Sequence, residues 1–296
     1  MIRNVCFLKV ASAWPASEEK LHDALAERSF SPCGALSETS SGWEPPTEAQ
    51  PPRLCRSVGG ADLMQLRTQS RLLPAAAVNE AVEARIEEYR ERMGDLPGRR
   101  EQRRLKAETR DKLLPQALLR SQRTKGLFLR SAGVLAIDAA TPAKVERFLD
   151  YLTLALGRLE VAELPFRRPV SSLLTRVFLG DAPAGLRPGQ ECRMRDATDS
   201  KATVRFTDMD LADSNIRTHV RDGMVLTHLG IEFDNCMSCV LDDQGRLSKL
   251  RIAGTEADDT GAREDPLARH DAEMVLVAET LRRYLSALGG ALGASD

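Results

Sequence analysis

Gly94-Asp95-Leu96-Pro97-Gly98, followed at once by Arg99-Arg100-Glu101-Gln102-Arg103-Arg104-Leu105-Lys106, is the stretch on which the fold turns. Two glycines and a proline within five residues break any regular element. Upstream, Val78, Val82, Ile86, Tyr89 and Met93 recur at spacings of 4, 4, 3 and 4. That spacing puts one apolar stripe on a helix, with Glu and Arg on the other faces. Pro74, in Leu72-Leu73-Pro74, suits the first turn of this helix. Downstream, the basic run reads as a second helix that ends or kinks at Leu113-Leu114-Pro115. Two helices joined across so short a break form a helical hairpin over residues 74–115. The second helix carries Leu105 and Leu113 among few apolar residues, so most of its arginines must face water.

Charge is concentrated in the same region. Arg99 to Arg130 holds eleven basic residues and three acidic ones, a local +8 in a chain of formal net charge −1. Charge this segregated creates a strong local field that can gather a polyanion whatever the net charge. Taken alone, such a run is most often a solvated helical face.

The flanks of the hairpin mirror each other. On the N-terminal side, residues 2–10 read as a buried strand, and Ser17 can cap a helix over 18–28 that carries Leu21 and Leu25. Phe30-Ser31-Pro32-Cys33-Gly34 and Gly42-Trp43-Glu44-Pro45-Pro46 read as turns, the second leading into a proline-rich loop to Pro52. Strands over 53–58 and 61–68 meet at Gly59-Gly60. On the other side, Leu127–Asp138 reads as a strand hairpin around Ser131-Ala132-Gly133. Thr141-Pro142 starts a helix whose face is Val145, Phe148, Leu149, Leu152 and Leu156, closed by Gly157. A strand over 161–166 follows. The two halves, 1–73 and 116–168, read as β-α-β-β and β-β-α-β of one central α+β layer into which the hairpin is inserted.

Pro165 to Pro169 is a linker to a C-terminal α+β base domain, 169–296. It opens with a strand or short helix (Ser172–Leu179) and a loop (Asp181–Gly189), then strands at Cys192–Met194 and Thr203–Phe206. Asp210 caps a helix over 211–221, with Asp213 as a capping-box acid. Val225–Ile252 is a three-stranded meander with a hairpin turn at Asp242-Asp243-Gln244-Gly245. An acidic loop, Glu256 to Asp265, leads to a final helix over 271–288 that Gly289-Gly290 stops.

Composition narrows the function classes. With 42% apolar and 29% charged residues in 296, the chain is an ordinary globular protein of roughly two domains. Aromatics make up 4%, too few for stacking platforms along a single strand. No apolar run approaches the length of a membrane span. Lys9 interrupts the short apolar start, which argues against a signal peptide and places the protein in the cytosol. Six scattered cysteines do not form a secreted disulfide framework. Cys236-Met237-Ser238-Cys239 is a lone pair inside a predicted strand, where residues three apart face opposite ways, so packed thiols are expected. In Asp208-Met209-Asp210-Leu211-Ala212-Asp213, helix capping accounts for two of three acids without a metal. His22, His219, His228 and His270 show no ligand spacing, and there is no nucleophile elbow, phosphate loop or dinucleotide fingerprint. Nothing in the residues supports an enzyme, and no cofactor is expected.

Several landmarks occur together and in order: Phe30-Ser31-Pro32-Cys33-Gly34, Gly42-Trp43 with Pro45-Pro46, the two Leu-Leu-Pro steps, and Asp242-Asp243-x-Gly245-x-Leu247-x-x-Leu250. Arg269-x-Asp271-Ala272-Glu273 then runs into a Leu-rich helix and Gly289-Gly290. In these features, across essentially the whole chain, the sequence resembles the bacterial recombination-associated protein family RdgC. The resemblance implies a homodimer closed into a ring whose basic channel encircles double-stranded DNA. It also implies binding without sequence preference, restraint of RecA-driven strand exchange, nucleoid association in the cytoplasm, and no enzymatic activity. Its architecture is the central layer, helical tip and base read above. The chain departs from the family pattern where Leu118 and Leu119 replace an aromatic near the tip contact, and where arginines stand in place of lysines.

The expected phosphate counter-charges are Arg71, Arg99, Arg103, Arg110, Lys112, Arg120, Arg123 and Lys125. A protein-interaction scaffold whose basic hairpin docks an acidic partner is the alternative. A thiol or metal enzyme using Cys236 and Cys239 is a third reading.

Overall fold

The computed structural model describes residues 2–199, 201–255 and 265–293; of the expected acidic loop, only Asp265 lies among them. In chain order the elements are β1 (Val5–Val10), α1 (Glu18–Ala26), β2 (Thr39–Glu44), β3 (Cys55–Val58), β4 (Ala61–Leu72), α2 (Ala75–Met93) and α3 (Arg99–Leu113). A 3-10 turn (Leu114–Gln116) leads to β5 (Leu118–Leu129), β6 (Val134–Asp138), α4 (Pro142–Leu156), β7 (Val161–Ala162) and α5 (Val170–Leu179). Then come β8 (Leu186–Asp196), β9 (Thr203–Phe206), α6 (Ser214–Arg221), β10 (Met224–Phe233), β11 (Met237–Asp242), β12 (Leu247–Ile252) and α7 (Pro266–Leu292). The fold is α+β. Contacts divide it into a larger unit (Met1–Glu27, Pro45–Gln65, Thr124–Asp296) and a smaller one (Arg28–Glu44, Leu66–Arg123), so that β4 and β5 each contribute residues to both.

In the larger unit the strand order is β4-β5-β6-β1-β12-β11-β10-β8-β9, with β3 also on β4 and β7 also on β1. β1 runs antiparallel to β6 and β12, and β10 antiparallel to β8 and β11. Strand residues alternate faces. A β-bulge between Leu226 and His228 resets that alternation, so Leu226, Leu229, Ile231 and Phe233 of β10 share one core with Leu173, Leu174, Val177 and Phe178 of α5, and with Met274, Ala278, Leu281, Tyr284 and Leu288 of α7. Their 3- and 4-residue spacing is what makes 170–179 a helix and not a strand.

A buried carboxylate ties this unit together. Asp62 is 0% exposed. It accepts hydrogen bonds from Arg130 Nε (3.1 Å) and Nη2 (3.0 Å), Ser57 Oγ (2.5 Å) and Trp14 Nε1 (2.9 Å). The Trp14 ring stacks on Phe128, with centroids 3.9 Å apart. Arg130 is thus a structural residue at the far end of the basic run.

Several elements differ from the sequence reading: β8 begins at Leu186, inside the expected loop Asp181–Gly189, because it pairs along the length of β10, and β7 keeps only Val161–Ala162 of the strand expected over 161–166. Gly42-Trp43 lies in a strand, β2, not a turn. Trp43 is fully buried, and Gly42 is needed because a Cβ there would sit 2.5 Å from Phe30 Cα. β5 begins at Leu118, nine residues before the expected hairpin strand; it opens with two exposed leucines, Leu118 and Leu119, and is polar on both faces from Arg120 to Lys125, so no apolar alternation marks it. The helix expected over 211–221 starts at Ser214. Asp213 is its N-cap, accepting from Asn215 N, while Asp210 turns the preceding loop by accepting from Ala212 N. The last helix starts at Pro266 and runs through Gly289-Gly290 to Leu292. Two helical glycines cost about 1 kcal/mol each relative to alanine. Burial of Leu288, Ala291 and Leu292 offsets that.

Gly126 of β5 gives the clearest packing test, since a Cβ there would collide with the Phe148 ring of α4, itself 0% exposed. Gly126→Ala should lose about 1–3 kcal/mol, the usual cost of overpacking. The midpoint of urea denaturation should fall accordingly; an unchanged midpoint would mean that β5 and α4 are not in the contact described.

Candidate nucleic-acid interface

The smaller unit presents the basic hairpin. α2 ends where Gly94 takes the left-handed conformation (φ 76°) and donates its N–H to Arg90 O. Gly98 caps α3. The seam between the helices is thin: Val78 and Val82 are buried on α2, and Leu105 and Thr109 on α3. Polar bonds supplement it. Arg85 Nη1 donates to Leu105 O (3.2 Å) and Thr109 Oγ1 (2.9 Å), and its Nη2 to Glu108 Oε2 (2.8 Å). Arg104 Nε donates to the other oxygen, Glu108 Oε1, at 2.8 Å. Held by Arg104 first and Arg85 second, the Glu108 carboxyl is drawn down to a pKa of about 2.

α3 carries its charge in a defined sector. At about 100° per residue, Arg99, Arg103, Lys106 and Arg110 fall within an arc of about 60° and span about 16 Å of helix. All four are exposed. Arg99 and Arg103 make no side-chain hydrogen bond or ion pair among the described residues. Lys106 Nζ reaches Asn79 Oδ1 (3.0 Å), and Arg110 Nη2 reaches Glu38 Oε1 (2.5 Å). Lys106 is not among the residues singled out from sequence, although its i, i+4, i+7, i+11 register with Arg99, Arg103 and Arg110 was the available signal. Lys112 is exposed and unpaired among the described residues, but lies on the far side of α3 from this stripe.

The remaining expected residues are not equivalent. Arg71 is largely engaged by the backbone: Nη1 donates to Pro115 O (3.0 Å) and Ala117 O (3.3 Å), and Nη2 to Gly34 O (3.2 Å). It pins the ends of the hairpin segment and offers little to an outside anion. Arg120 is exposed and unpaired among the described residues. Arg123 is exposed and donates Nε to Glu44 Oε1 at 2.6 Å, a carboxylate that Arg67 also approaches at 3.4 Å. Three residues apart on a strand, Arg120 and Arg123 face opposite sides of β5. Lys125 belongs to the larger unit and is half-buried. There it lines a small cavity with His270 and Glu273. Burial, and secondarily the Lys125 charge, push the His270 pKa down.

The thiols are quiet. Burial raises the pKa of Cys55 to about 12, that of Cys192 to about 11, and that of Cys239 further still. Cys236 precedes β11 and contacts Phe233 O, while Cys239 lies within the strand and is buried. Among the described residues no three or more His, Cys, Asp or Glu side chains are grouped to hold a metal ion, and no helix is long and apolar enough to cross a membrane.

Comparison with known proteins places these features in context. Residues 1–295 match a family model described as "Putative exonuclease, RdgC". The chain is 33% identical over 295 residues to the recombination-associated protein RdgC of Cupriavidus pinatubonensis, covering 98% of this chain and 97% of that one. It is 32% identical, over the same length and shares, to the protein of that name from Cupriavidus necator. The one from Shewanella oneidensis is 27% identical over 294 residues.

The Glu108 contacts predict a pH effect. A carboxyl lowered in the folded state stabilises above its unfolded pKa, near 4.5, and that contribution is lost as pH falls toward about 2. Amide protection factors in 75–113, referred to the intrinsic exchange rate at each pH, should therefore fall over that window more steeply than in Glu108→Gln. Identical profiles would remove Glu108 as the hairpin's acid-sensitive tie.

Proposed function

This chain belongs to the RdgC family, and from that premise we propose that it binds double-stranded DNA without sequence preference. In this reading it acts as a nucleoid-associated homodimer, closed into a ring around the duplex, that restrains RecA-driven strand exchange by occupying the DNA. The observation that carries the reading is the α3 stripe. Arg99, Arg103, Lys106 and Arg110 are exposed on one helical face, and the first two have no acidic partner among the described residues. Guanidinium groups bind phosphate bidentately, and phosphate contacts carry affinity without sequence information. Arg120 and Lys112 are further counter-charges. Arg110 can exchange Glu38 for phosphate at small cost, because an exposed ion pair is worth at most about 1 kcal/mol, whereas the Glu44 that holds Arg123 is largely buried and shared with Arg67. Arg71 serves the fold of the hairpin's ends, and Lys125 acts from the larger unit.

A docking role for the hairpin is favoured by one observation: Met93 and Leu96, beside the break, are each 59% exposed. Apolar side chains at that position suit a protein contact, either a second copy or an acidic partner.

Two stripes of four cations neutralising 6–8 phosphates give a log–log salt slope of about −5 to −7. Arg99→Gln, Arg103→Gln and Arg110→Gln combined should lower duplex affinity at least about tenfold near 0.1 M salt and flatten the slope by about 3–5. An unchanged slope would refute the assignment. Random duplexes should bind alike, the solution mass should be that of a dimer, and linear DNA should be released more readily than closed circles. The same reactions with Mg²⁺ on end-labelled duplex read out exonuclease activity; release of nucleotides would replace this reading with a catalytic one.

A further inference from the structure

Over β12-β11-β10-β8-β9, the sheet of the larger unit is covered by α5 and α7 on one face and open on the other. On β8, Cys192 and Met194 point into the core at 2% and 0% exposure, so Arg193 and Arg195 point out. β9 pairs with this strand in the register Cys192↔Phe206, Arg193↔Arg205, Met194↔Val204 and Arg195↔Thr203. Arg193 and Arg205 are therefore directly opposite each other on the open face, with Arg195 about 7 Å further along the same strand. β10 adds His228 opposite Arg193 and Val225 opposite Arg195. Further across, Arg251 of β12 stands opposite Ser238.

Two like charges placed directly across a ladder destabilise it. One shared carboxylate is all that offsets this pair among the described residues. Arg193 and Arg195 make no side-chain hydrogen bond or ion pair among the described residues. Arg205 has one acidic neighbour, Glu191 at 3.6 Å, and that carboxylate is already held by Lys249 at 2.6 Å. Arg251 is likewise exposed and unpaired among the described residues.

From this we infer that the open face of β8 and β9, centred on Arg193, Arg195 and Arg205, is a second phosphate-contacting surface for the DNA duplex, built into the sheet and separate from the α3 stripe. The inference deepens the duplex-binding reading above and rests on it. A flat array of guanidinium groups suits the repeated anions of a nucleic-acid backbone, each able to take two N–H···O bonds. The chemistry of the face disfavours the other occupants. No aromatic side chain among the described residues is exposed, so bases of a single strand have no platform to stack on. Protein interfaces are anchored by Trp, Tyr or similar groups in pockets, whereas the exposed apolar residue in these rows is Val225, at 37%.

The test compares the full-length protein with two triple variants, Arg193→Gln/Arg195→Gln/Arg205→Gln and Arg193→Lys/Arg195→Lys/Arg205→Lys. The probe is a labelled random-sequence duplex of about 30 base pairs, titrated between about 50 and 300 mM salt. The glutamine variant should bind roughly tenfold more weakly near 0.1 M salt, with a slope flatter by about 2–3, and the lysine variant should keep the slope within about 1. Because the like-charge pair is relieved, thermal stability of the glutamine variant should be equal or higher. If the unmodified protein binds but the glutamine variant matches it in affinity and slope, the inference is wrong while the duplex-binding reading stands. If the unmodified protein does not bind duplex at all, both fall. If the glutamine variant loses binding to poly-glutamate and keeps duplex binding, the face docks an acidic protein and the inference is overturned.

Discussion

The larger unit depends on one buried negative charge. Asp62 stands at the start of β4, has no exposed surface, and gathers Arg130 from the turn after β5, Ser57 from β3 and Trp14 from the N-terminal segment. Removing one partner from such a pair leaves a buried charge uncompensated, at a cost of about 3–5 kcal/mol. The network therefore sets where β4 begins and where β5 ends. Those are the strands whose other halves carry the chain into and out of the basic hairpin.

It also separates two kinds of basic residue that a charge count treats alike. Arg130 and Arg71 make bonds to buried or backbone acceptors, which no phosphate could replace without breaking the fold. Arg110 makes an exposed ion pair, which is screened by salt and can be exchanged, while Arg123 is tied to the largely buried Glu44. Arg99, Arg103 and Arg120 have no such commitment among the described residues. The sheet face shows the same logic from the other side. Arg193 and Arg205 are held opposite each other at a cost that Glu191, shared with Lys249, offsets only in part, and an anionic partner would offset more of it.

The hairpin's thin seam belongs to this arrangement. Four buried side chains and the Arg85–Glu108–Arg104 chain of bonds hold α3 against α2. A helix so charged cannot be buried on a wide face without stranding its arginines. The stability of the hairpin and the availability of its cations are thus set against each other. Glu108 couples the two, since its protonation would weaken its ties to Arg85 and Arg104 together, leaving Arg85 on Leu105 O and Thr109 Oγ1.

The sequence by itself determined the elements with strong periodicity. The α2 stripe, the Gly94–Gly98 break, the α4 face after Thr141-Pro142 and the meander turned at Asp242 were all legible, because amphipathic period and turn chemistry are local properties. The face shared by Arg99, Arg103 and Arg110 was equally local. Other features were settled by tertiary structure. β2 exists because Trp43 is buried and Gly42 lets the Phe30 backbone approach. α7 crosses Gly289-Gly290 because burial of Leu288, Ala291 and Leu292 outweighs the propensity cost. Asp213 rather than Asp210 caps α6, since both can accept the same kind of bond. Which arginines are consumed by the fold was likewise beyond the sequence. Arg71, Arg123 and Arg130 differ only in what stands next to them, and those neighbours, Pro115, Glu44 and Asp62, are brought there by long-range pairing that no local pattern encodes.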